Sequence, residues 1–260
     1  MRPRSGVVAV EATSPATIVT FYSYTGGVGR TMAVANVAWI LAGAGKKVLV
    51  VDWSTESPAL HGYLAPFLID DALRLPDHLA DRFGAAVPYV PPVRRNVRRR
   101  DEDPDGSVMG TRYGLPGARG QIDVIGGGPH SPPRGSLPTT ATTPAAPGLT
   151  GENAVAHLRE ALLTDRYDYI LIDGPTGPVE AGVGCAALLP DIVAAFFRMN
   201  RLAIQTAATQ ADVIHGRAAR NRAVAIIPVP SSVDLGDPDR LAANRSLVSG
   251  QFSGSAAGQA

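Results

Sequence analysis

The chain has 260 residues, which is enough for one large domain or for one domain with appendages. Hydrophobic residues make up 45% of it and charged residues 18%, a composition typical of a globular protein and not of a wholly disordered one. The 24 Lys and Arg residues nearly balance the 23 Asp and Glu residues, and the net charge of +1 excludes a global electrostatic field that recruits nucleic acid or anionic lipid.

The cysteine and histidine content excludes several kinds of site. The single cysteine, Cys185, rules out an intramolecular disulfide framework and any zinc site built from several cysteines. The five histidines are scattered and form no pair at the i, i+4 spacing of helical ligands, so we predict no zinc enzyme. The sequence contains no run of about 18 apolar residues. We therefore expect a cytoplasmic protein that does not bind a membrane.

Short apolar segments alternate with segments of helical composition. The predicted strands cover residues 18–22, 47–52, 122–125, 169–173, 192–197 and 224–228, and the predicted helices cover residues 31–43, 152–164 and 202–215. The strands are nearly continuous apolar runs, as expected of strands that are covered on both faces. Alternating strands and helices favour right-handed βαβ crossovers. The sequence therefore predicts an α/β fold, doubly wound, with a mainly parallel sheet flanked by helices.

Composition also divides the chain into regions. We predict an N-terminal extension at 1–16, a single domain at 17–245, and a flexible tail rich in Gly, Ser and Ala at 246–260. An insertion at about 87–150 contains 11 of the 22 prolines, which disfavours long helices and central strands there. Inside it, acidic residues directly follow a basic run at 94–100 and nearly neutralise it. Nucleic acid is therefore an unlikely partner.

A glycine-rich loop lies between the first predicted strand and the first predicted helix. Residues 24–31 read Tyr-Thr-Gly-Gly-Val-Gly-Arg-Thr. The glycines allow the loop to curl so that successive backbone N–H groups point inward, and the helix N-terminus adds a favourable dipole. In a P-loop, a lysine that contacts the phosphates precedes a Ser or Thr whose hydroxyl ligates Mg²⁺. Arg30 and Thr31 occupy these two positions.

Three motifs, in the order in which they occur along the chain, resemble those of the ParA/MinD family of ATPases. The glycine-rich loop is similar to the family's deviant P-loop, Lys-Gly-Gly-x-Gly-Lys-[Ser/Thr], of which one branch carries Gly-Arg-Thr. Residues 46–58 resemble the second strand with its Asp-x-Asp motif, and residues 167–177 resemble the Walker B strand and switch loop. The resemblance spans residues 17 to about 235. It implies a three-layer, P-loop NTPase-like fold.

The resemblance implies ATP or ADP together with Mg²⁺ as ligands. The segment that would wrap the phosphates comprises Gly26, Gly27, Val28, Gly29, Arg30 and Thr31. Thr31 would ligate Mg²⁺, Asp173 would hold the metal through water, and Asp52 matches the first acid of the second-strand motif. The residues at positions where relatives cradle the base are Asn200, Pro228 and Pro230.

Two positions depart from the family pattern. Thr25 replaces the signature lysine, which in the family reaches the nucleotide of the partner subunit, and Ser54 replaces the second Asp, which orients the attacking water. Phosphoryl transfer depends on positioned positive charge and an oriented water, whereas backbone N–H groups supply much of the binding. We therefore predict an ATP-binding protein with weak or lost hydrolysis that acts as a regulatory switch or scaffold, and we assign no catalytic residue.

Two other functions stay open. One is an active ATPase with nucleotide-dependent dimerisation, for which Glu56 would have to swing into the site. The other is a pseudo-ATPase that binds no nucleotide and serves as an interaction module. A bacterial-type tyrosine kinase shares the scaffold, but the last tyrosine here is Tyr169 and no Tyr-rich tail follows. The expected partner is another protein or a second copy of the chain.

Overall fold

The computed structural model describes residues 15–53, 60–74, 109–113, 119–125, 151–164, 167–178, 184–218 and 222–253. The strands in these residues are β1 Thr17–Ser23, β2 Lys47–Asp52, β3 Leu68–Arg74, β4 Met109–Tyr113, β5 Gln121–Ile125, β6 Tyr169–Thr176, β7 Ile192–Arg198 and β8 Ala225–Ser231. The helices are α1 Arg30–Gly43, α2 Leu60–Leu64, α3 Gly151–Thr164, α4 Arg201–Ala218 and α5 Pro238–Phe252. A 3-10 turn covers Ala65–Phe67, and one π-helical turn covers Gly184–Leu188.

The described strands form an eight-stranded sheet in the order β3-β4-β5-β2-β6-β1-β7-β8. The strands from β5 to β8 in this order run parallel. β4 runs antiparallel to both β3 and β5. Every residue of β2 after Lys47 is buried, as expected of a strand that is covered on both faces. This topology confirms the predicted doubly wound α/β fold.

Helices cover both faces of the sheet, so the fold has three layers. Along β2, Leu49 and Val51 pack in an apolar cluster that includes residues of α3 and α4. Val48 and Val50 pack in a second cluster with residues of α1 and α2. The alternation follows from the two-residue period of a strand, which points successive side chains to opposite faces.

The six predicted strands are confirmed, and the structure adds β3 and β4. The prolines of region 87–150 disfavoured a central strand, yet the strand predicted at 122–125 is central, because β5 pairs with β4 on one side and with β2 on the other. β4 lies between Pro104 and Pro116, and β5 lies between Pro116 and Pro129. A strand of five residues needs only such a proline-free interval, whatever the composition around it.

α5 lies where the sequence predicted a flexible tail to begin. Asp237 caps its N-terminus by accepting a hydrogen bond from a first-turn backbone N–H at 3.0 Å. Near its other end, the buried ring of Phe252 stacks on Phe197 with 5.8 Å between ring centroids. The predicted tail is therefore wrong for residues 246–252, and residues 254–260 lie outside the described residues.

Several predicted segments lie outside the described residues. They include residues 1–14 of the predicted extension and the basic run at 94–100, and both stay predictions. Among the helices that the structure describes, none combines the length and the apolar character needed to cross a bilayer.

A cluster of charged residues joins elements at the amino-terminal edge of the parallel strands. Asp191 Oδ2 accepts the Ile18 backbone N–H at 2.9 Å, and its Oδ1 lies 2.6 Å from an Arg159 nitrogen and 3.2 Å from an Arg222 nitrogen. Burial lowers the pKa of Arg222 and the charge of Arg159 lowers it further, whereas Asp191 raises it. The cluster connects β1, α3 and the segment before β8, and it lies at the end of the sheet away from the glycine-rich loop.

Candidate phosphate-binding site

The glycine-rich loop joins the carboxyl end of β1 to the start of α1. Gly27 and Gly29 have φ angles of 70° and 80°, in the left-handed region that side chains disfavour. Val28 between them is buried and anchors the loop in the core. Gly29 is the N-cap of α1, and among the described residues neither a capping side chain nor an acidic residue occupies the first turn. No described side chain of this turn therefore competes with a ligand for its N–H groups.

Arg30 begins α1, and its side chain is only 7% exposed. Its Nε donates to Asp173 Oδ1 on β6 at 2.7 Å. Its Nη1 donates to Ser23 Oγ at 2.9 Å and, at 3.3 Å, to the Pro175 carbonyl and Thr176 Oγ1. The structure thus brings the predicted phosphate-binding cation and the predicted metal-holding acid together, but as an ion pair with each other.

Two buried carboxylates occupy neighbouring strands. Asp52 ends β2 and stands opposite Asp173 in the register of β2 and β6. The two residues are 6% and 0% exposed. β6 continues to Thr176, beyond the strand end that the sequence predicted at residue 173. Asp173 Oδ1 accepts from Arg30, whereas its Oδ2 is buried and accepts no hydrogen bond from the described residues. Oδ2 is therefore the oxygen of this carboxylate that can receive a ligand.

Ser23 is a site residue that the sequence analysis missed. It is the last residue of β1, it is 1% exposed, and its Oγ accepts a hydrogen bond from Arg30. The signal was present in the sequence, since a hydroxyl at the end of a buried strand directly before a glycine-rich loop is placed to contact whatever that loop surrounds.

The structure describes only one of the two positions that depart from the family pattern. Thr25 is exposed in the loop and carries no charge. Ser54 and Glu56 lie outside the described residues, so the predicted loss of the water-orienting carboxylate stays a prediction.

The oxygen atoms at the site fit a magnesium ion. Magnesium prefers oxygen ligands and draws many of them from phosphates and water. The site offers the unpaired Oδ2 of Asp173 and the hydroxyl of Thr31, which is half-buried in the first turn of α1. Among the described residues, no group of three or more His, Cys, Asp or Glu side chains is arranged to hold a metal by itself. A metal here would therefore need the phosphates of a nucleotide.

A cleft opens beyond β7 and β8, beside the first turn of α5. Its lining includes Arg198, Asn200, Asp234, Asp237 and Asn244. The structure thus places Asn200, the predicted base-contacting residue, in a cleft. Its Oδ1 also accepts the Ala203 backbone N–H at 3.0 Å, which fixes the start of α4.

Pro228 and Pro230, the other two predicted base-contacting residues, both belong to β8. This strand continues to Ser231, beyond the end that the sequence predicted at residue 228. Neither is among the described residues that line the cleft. β8 is at the edge of the sheet, and an edge strand tolerates proline because its outer N–H positions have no partner strand.

The chain is similar to a known family and to several solved structures. The model of the CobQ/CobB/MinD/ParA nucleotide binding domain matches residues 19–216. Apo McdA of Cyanthece is 14% identical with a TM-score of 0.56, and the match covers 92% of this chain and 83% of that chain. The cell division ATPase MinD of Pyrococcus furiosus is 17% identical with a TM-score of 0.54, covering 90% and 79%.

A third similar structure is pNOB8 ParA bound to nonspecific DNA. It is 17% identical with a TM-score of 0.53, and the match covers 93% of this chain and 76% of that chain. At these identities the likeness to solved structures shows the fold alone. No curated protein sequence matches this chain.

The family match covers most of the chain, including the glycine-rich loop, Asp52 and Asp173. The overall likeness to solved structures with TM-scores above 0.5 agrees with the fold described above. The chain belongs to the CobQ/CobB/MinD/ParA nucleotide-binding domain family.

Proposed function

We propose that the protein binds ATP or ADP through the loop 26–31 and hydrolyses ATP weakly or not at all. The observation that carries this proposal is the buried ion pair between Arg30 and Asp173. In a hydrolytic site, the cation at the position of Arg30 stabilises charge that develops on the transferred phosphate. Here that cation is neutralised by an acid of the same chain.

Nucleotide binding is supported by backbone groups of the loop, which the departures from the family pattern at Thr25 and Ser54 leave unchanged. Among the described residues, no side chain caps the start of α1 and its first turn contains no acid, and Gly27 and Gly29 have the positive φ angles of a curled loop. Backbone N–H groups and the helix dipole together bind phosphate without a charged side chain.

Weak hydrolysis is expected because one positive charge of the family pattern is absent and another is paired with an acid of the chain. Thr25 is exposed and neutral where relatives carry the signature lysine, and Arg30 is paired with Asp173. Removal of one preorganised donor to a transition-state anion costs about 10²–10³ in rate in other enzymes. Two such changes are expected to leave the protein far slower than an active ATPase.

Magnesium is the metal that the site would take. Thr31 and the Oδ2 atom of Asp173 would hold it, and it would neutralise charge on the bound phosphates. Because Arg30 already bonds the other Asp173 oxygen, the carboxylate would serve both cations at once, one through each oxygen.

The biological role that fits these properties is a regulatory switch or scaffold that acts on a protein partner or as a homodimer. Nucleic acid has to be tested as well, since pNOB8 ParA, a protein of the same fold, is known bound to nonspecific DNA. The expectation against nucleic acid gains no support from that comparison. An active ATPase with nucleotide-dependent dimerisation is the alternative, and the turnover rate separates it from this proposal.

Titration calorimetry with ATP and a non-hydrolysable analogue, each with and without Mg²⁺, tests the proposed binding. Gly26 offers a matched pair of variants, because a Cβ atom added there meets no atom within 4 Å. Gly26→Asp places a negative charge in the loop and is expected to weaken ATP binding by about tenfold or more. Gly26→Asn has the same shape without the charge and is therefore expected to bind ATP more tightly than Gly26→Asp does.

Two results would contradict the proposal. Folded protein that gives no heat with ATP would favour the interaction module that binds no nucleotide. Equal affinities of the two Gly26 variants for ATP would place the nucleotide elsewhere on the protein.

A further inference from the structure

Arg198, the last residue of β7, lies against the glycine-rich loop. A Cβ atom built on Gly27 would lie 3.3 Å from Arg198 Nη2. The guanidinium therefore lies beside the loop at one of the two glycines whose left-handed conformation shapes it. Neither the P-loop pattern nor the strand motifs assign a role to this residue.

The register of the sheet explains why Arg198 reaches the loop. β7 pairs with β1, and Phe196 stands opposite Ser23, the residue after which β1 becomes the loop. Arg198 is two residues farther along β7, at the same carboxyl edge of the sheet. Since side chains alternate along a strand, Phe196 and Arg198 emerge on the same face, and the longer arginine extends over the loop.

Arg198 is charged and unpaired within the described part of the chain. Its side chain is exposed, and no described residue forms an ion pair or hydrogen bond with its guanidinium. Asp234 and Asp237, the acids that line the adjoining cleft, each accept a backbone N–H through Oδ1, from Gly236 at 2.9 Å and from Arg240 at 3.0 Å. Arg198 thus contrasts with Arg30, which is buried and neutralised.

We infer that Arg198 contacts the phosphates of the bound nucleotide and adds to their binding, a contact that Arg30, paired with Asp173, does not supply. The inference rests on the proposed nucleotide binding. An exposed guanidinium beside a phosphate-binding loop is suited to the task, because its planar fork of donors matches two phosphate oxygens. The loop N–H groups would hold the phosphates from one side and Arg198 would cover them from the side of β7.

Calorimetry with two probes, ATP and inorganic tripolyphosphate, tests this inference. Arg198→Ala is expected to weaken the binding of both probes by about tenfold to a hundredfold, the usual effect of losing a hydrogen bond to a charged group. The loss is expected to be equal for the two probes, because tripolyphosphate lacks the base and the ribose. Arg198→Lys keeps the charge without the fork and is expected to lose less.

Arg245→Ala is the matched control. Arg245 is exposed on α5 and is not among the described residues that line the cleft, so its removal takes away the same formal charge at a distance from the loop. It is expected to leave both affinities within about twofold. Thermal unfolding of each variant shows that the comparison is made on folded protein.

The outcomes separate the inference from the proposed function. If the unmodified protein binds ATP and Arg198→Ala binds both probes equally well, Arg198 does not contact phosphate, although the nucleotide site stands. If Arg198→Ala weakens ATP but not tripolyphosphate, Arg198 contacts the nucleoside and the inference is wrong. If the unmodified protein binds neither probe, the inference and the proposed function both fail.

Discussion

The Nε atom of Arg30 lies 2.7 Å from Asp173 Oδ1 in the interior of the protein, and the two residues are 143 positions apart in the chain. The pair joins the first residue of α1 to β6, the strand that lies between β1 and β2. It also joins two of the residues that the sequence analysis assigned to nucleotide binding. The contact therefore links two elements of the fold and neutralises the charge of Arg30.

The pair has a direct consequence for stability. Arg30→Ala is expected to lower the free energy of unfolding by about 3–5 kcal/mol, because Asp173 would stay buried without its counter-charge. The double variant Arg30→Met with Asp173→Asn removes both charges and is expected to lose less than Arg30→Ala alone. Urea unfolding followed by circular dichroism measures both. An Arg30→Ala variant within about 1 kcal/mol of the unmodified protein would mean that the pair contributes little.

Magnesium dependence tests the assignment of Thr31. ATP is expected to bind about tenfold more tightly with Mg²⁺ than with a chelator. Thr31→Val keeps the shape of the side chain without its hydroxyl, and we expect it to remove this enhancement while the metal-free affinity stays within about twofold. Thr31→Ser keeps the hydroxyl and serves as the control in the same titrations. An enhancement that survives in Thr31→Val would exclude Thr31 as a metal ligand.

The sheet edge beyond β2 depends on one buried carboxylate. Asp123 is 1% exposed, accepts Arg112 Nε at 2.7 Å and Nη2 at 2.9 Å, and accepts the Tyr167 hydroxyl at 2.9 Å. Asp123→Ala is expected to lower the free energy of unfolding by about 2–3 kcal/mol, because it removes the acceptor of three hydrogen bonds while the remaining Arg112 is partly solvated. Tyr167→Phe removes one hydrogen bond and is expected to cost about 1 kcal/mol. Equal losses in the two variants would contradict this account.

The turn before β5 requires glycine. A Cβ atom at Gly120 would lie 2.1 Å from the Ala42 carbonyl oxygen and 2.7 Å from the Lys46 carbonyl oxygen, both of which are backbone atoms. Gly120→Ala is therefore expected to destabilise the protein by about 1–3 kcal/mol or more. Gly216→Ala is the control, because a Cβ on that residue of α4 meets no atom within 4 Å. Alanine there is expected to raise the melting temperature, since glycine disfavours a helix by about 0.5–1 kcal/mol.

Continuous apolar runs made most of the sheet predictable from the sequence, whereas its antiparallel edge was not. β3 reads Leu-Ile-Asp-Asp-Ala-Leu-Arg, so two adjacent acids interrupt its apolar pattern. β4 has only five residues, with no apolar alternation. α5 is polar on average, and the Asp-Pro pair at residues 237–238, which marks a helix start, was its signal.

The loop and its acids were predictable, because strand ends and glycine spacing are local patterns. The partner of Arg30 was not, since residue type alone does not say whether a cation faces a ligand or an acid of the same chain. The proximity of Arg198 to Gly27 depends on the pairing of β1 with β7, which the linear sequence does not specify. Contacts between strands that are far apart in the chain thus decide which arginine is paired with an acid and which can contact a ligand.

The rate of ATP turnover tests the central claim most directly. It is measured on purified protein that calorimetry has shown to be saturated with ATP and Mg²⁺, so that a low rate does not reflect an empty site. We predict a rate at or below about 10⁻³ s⁻¹, the level of a P-loop protein that lacks its transition-state cation. A rate of about 1 s⁻¹ or more, as in an ordinary enzyme, would contradict the claim that the Arg30–Asp173 pair and the neutral Thr25 have disabled hydrolysis.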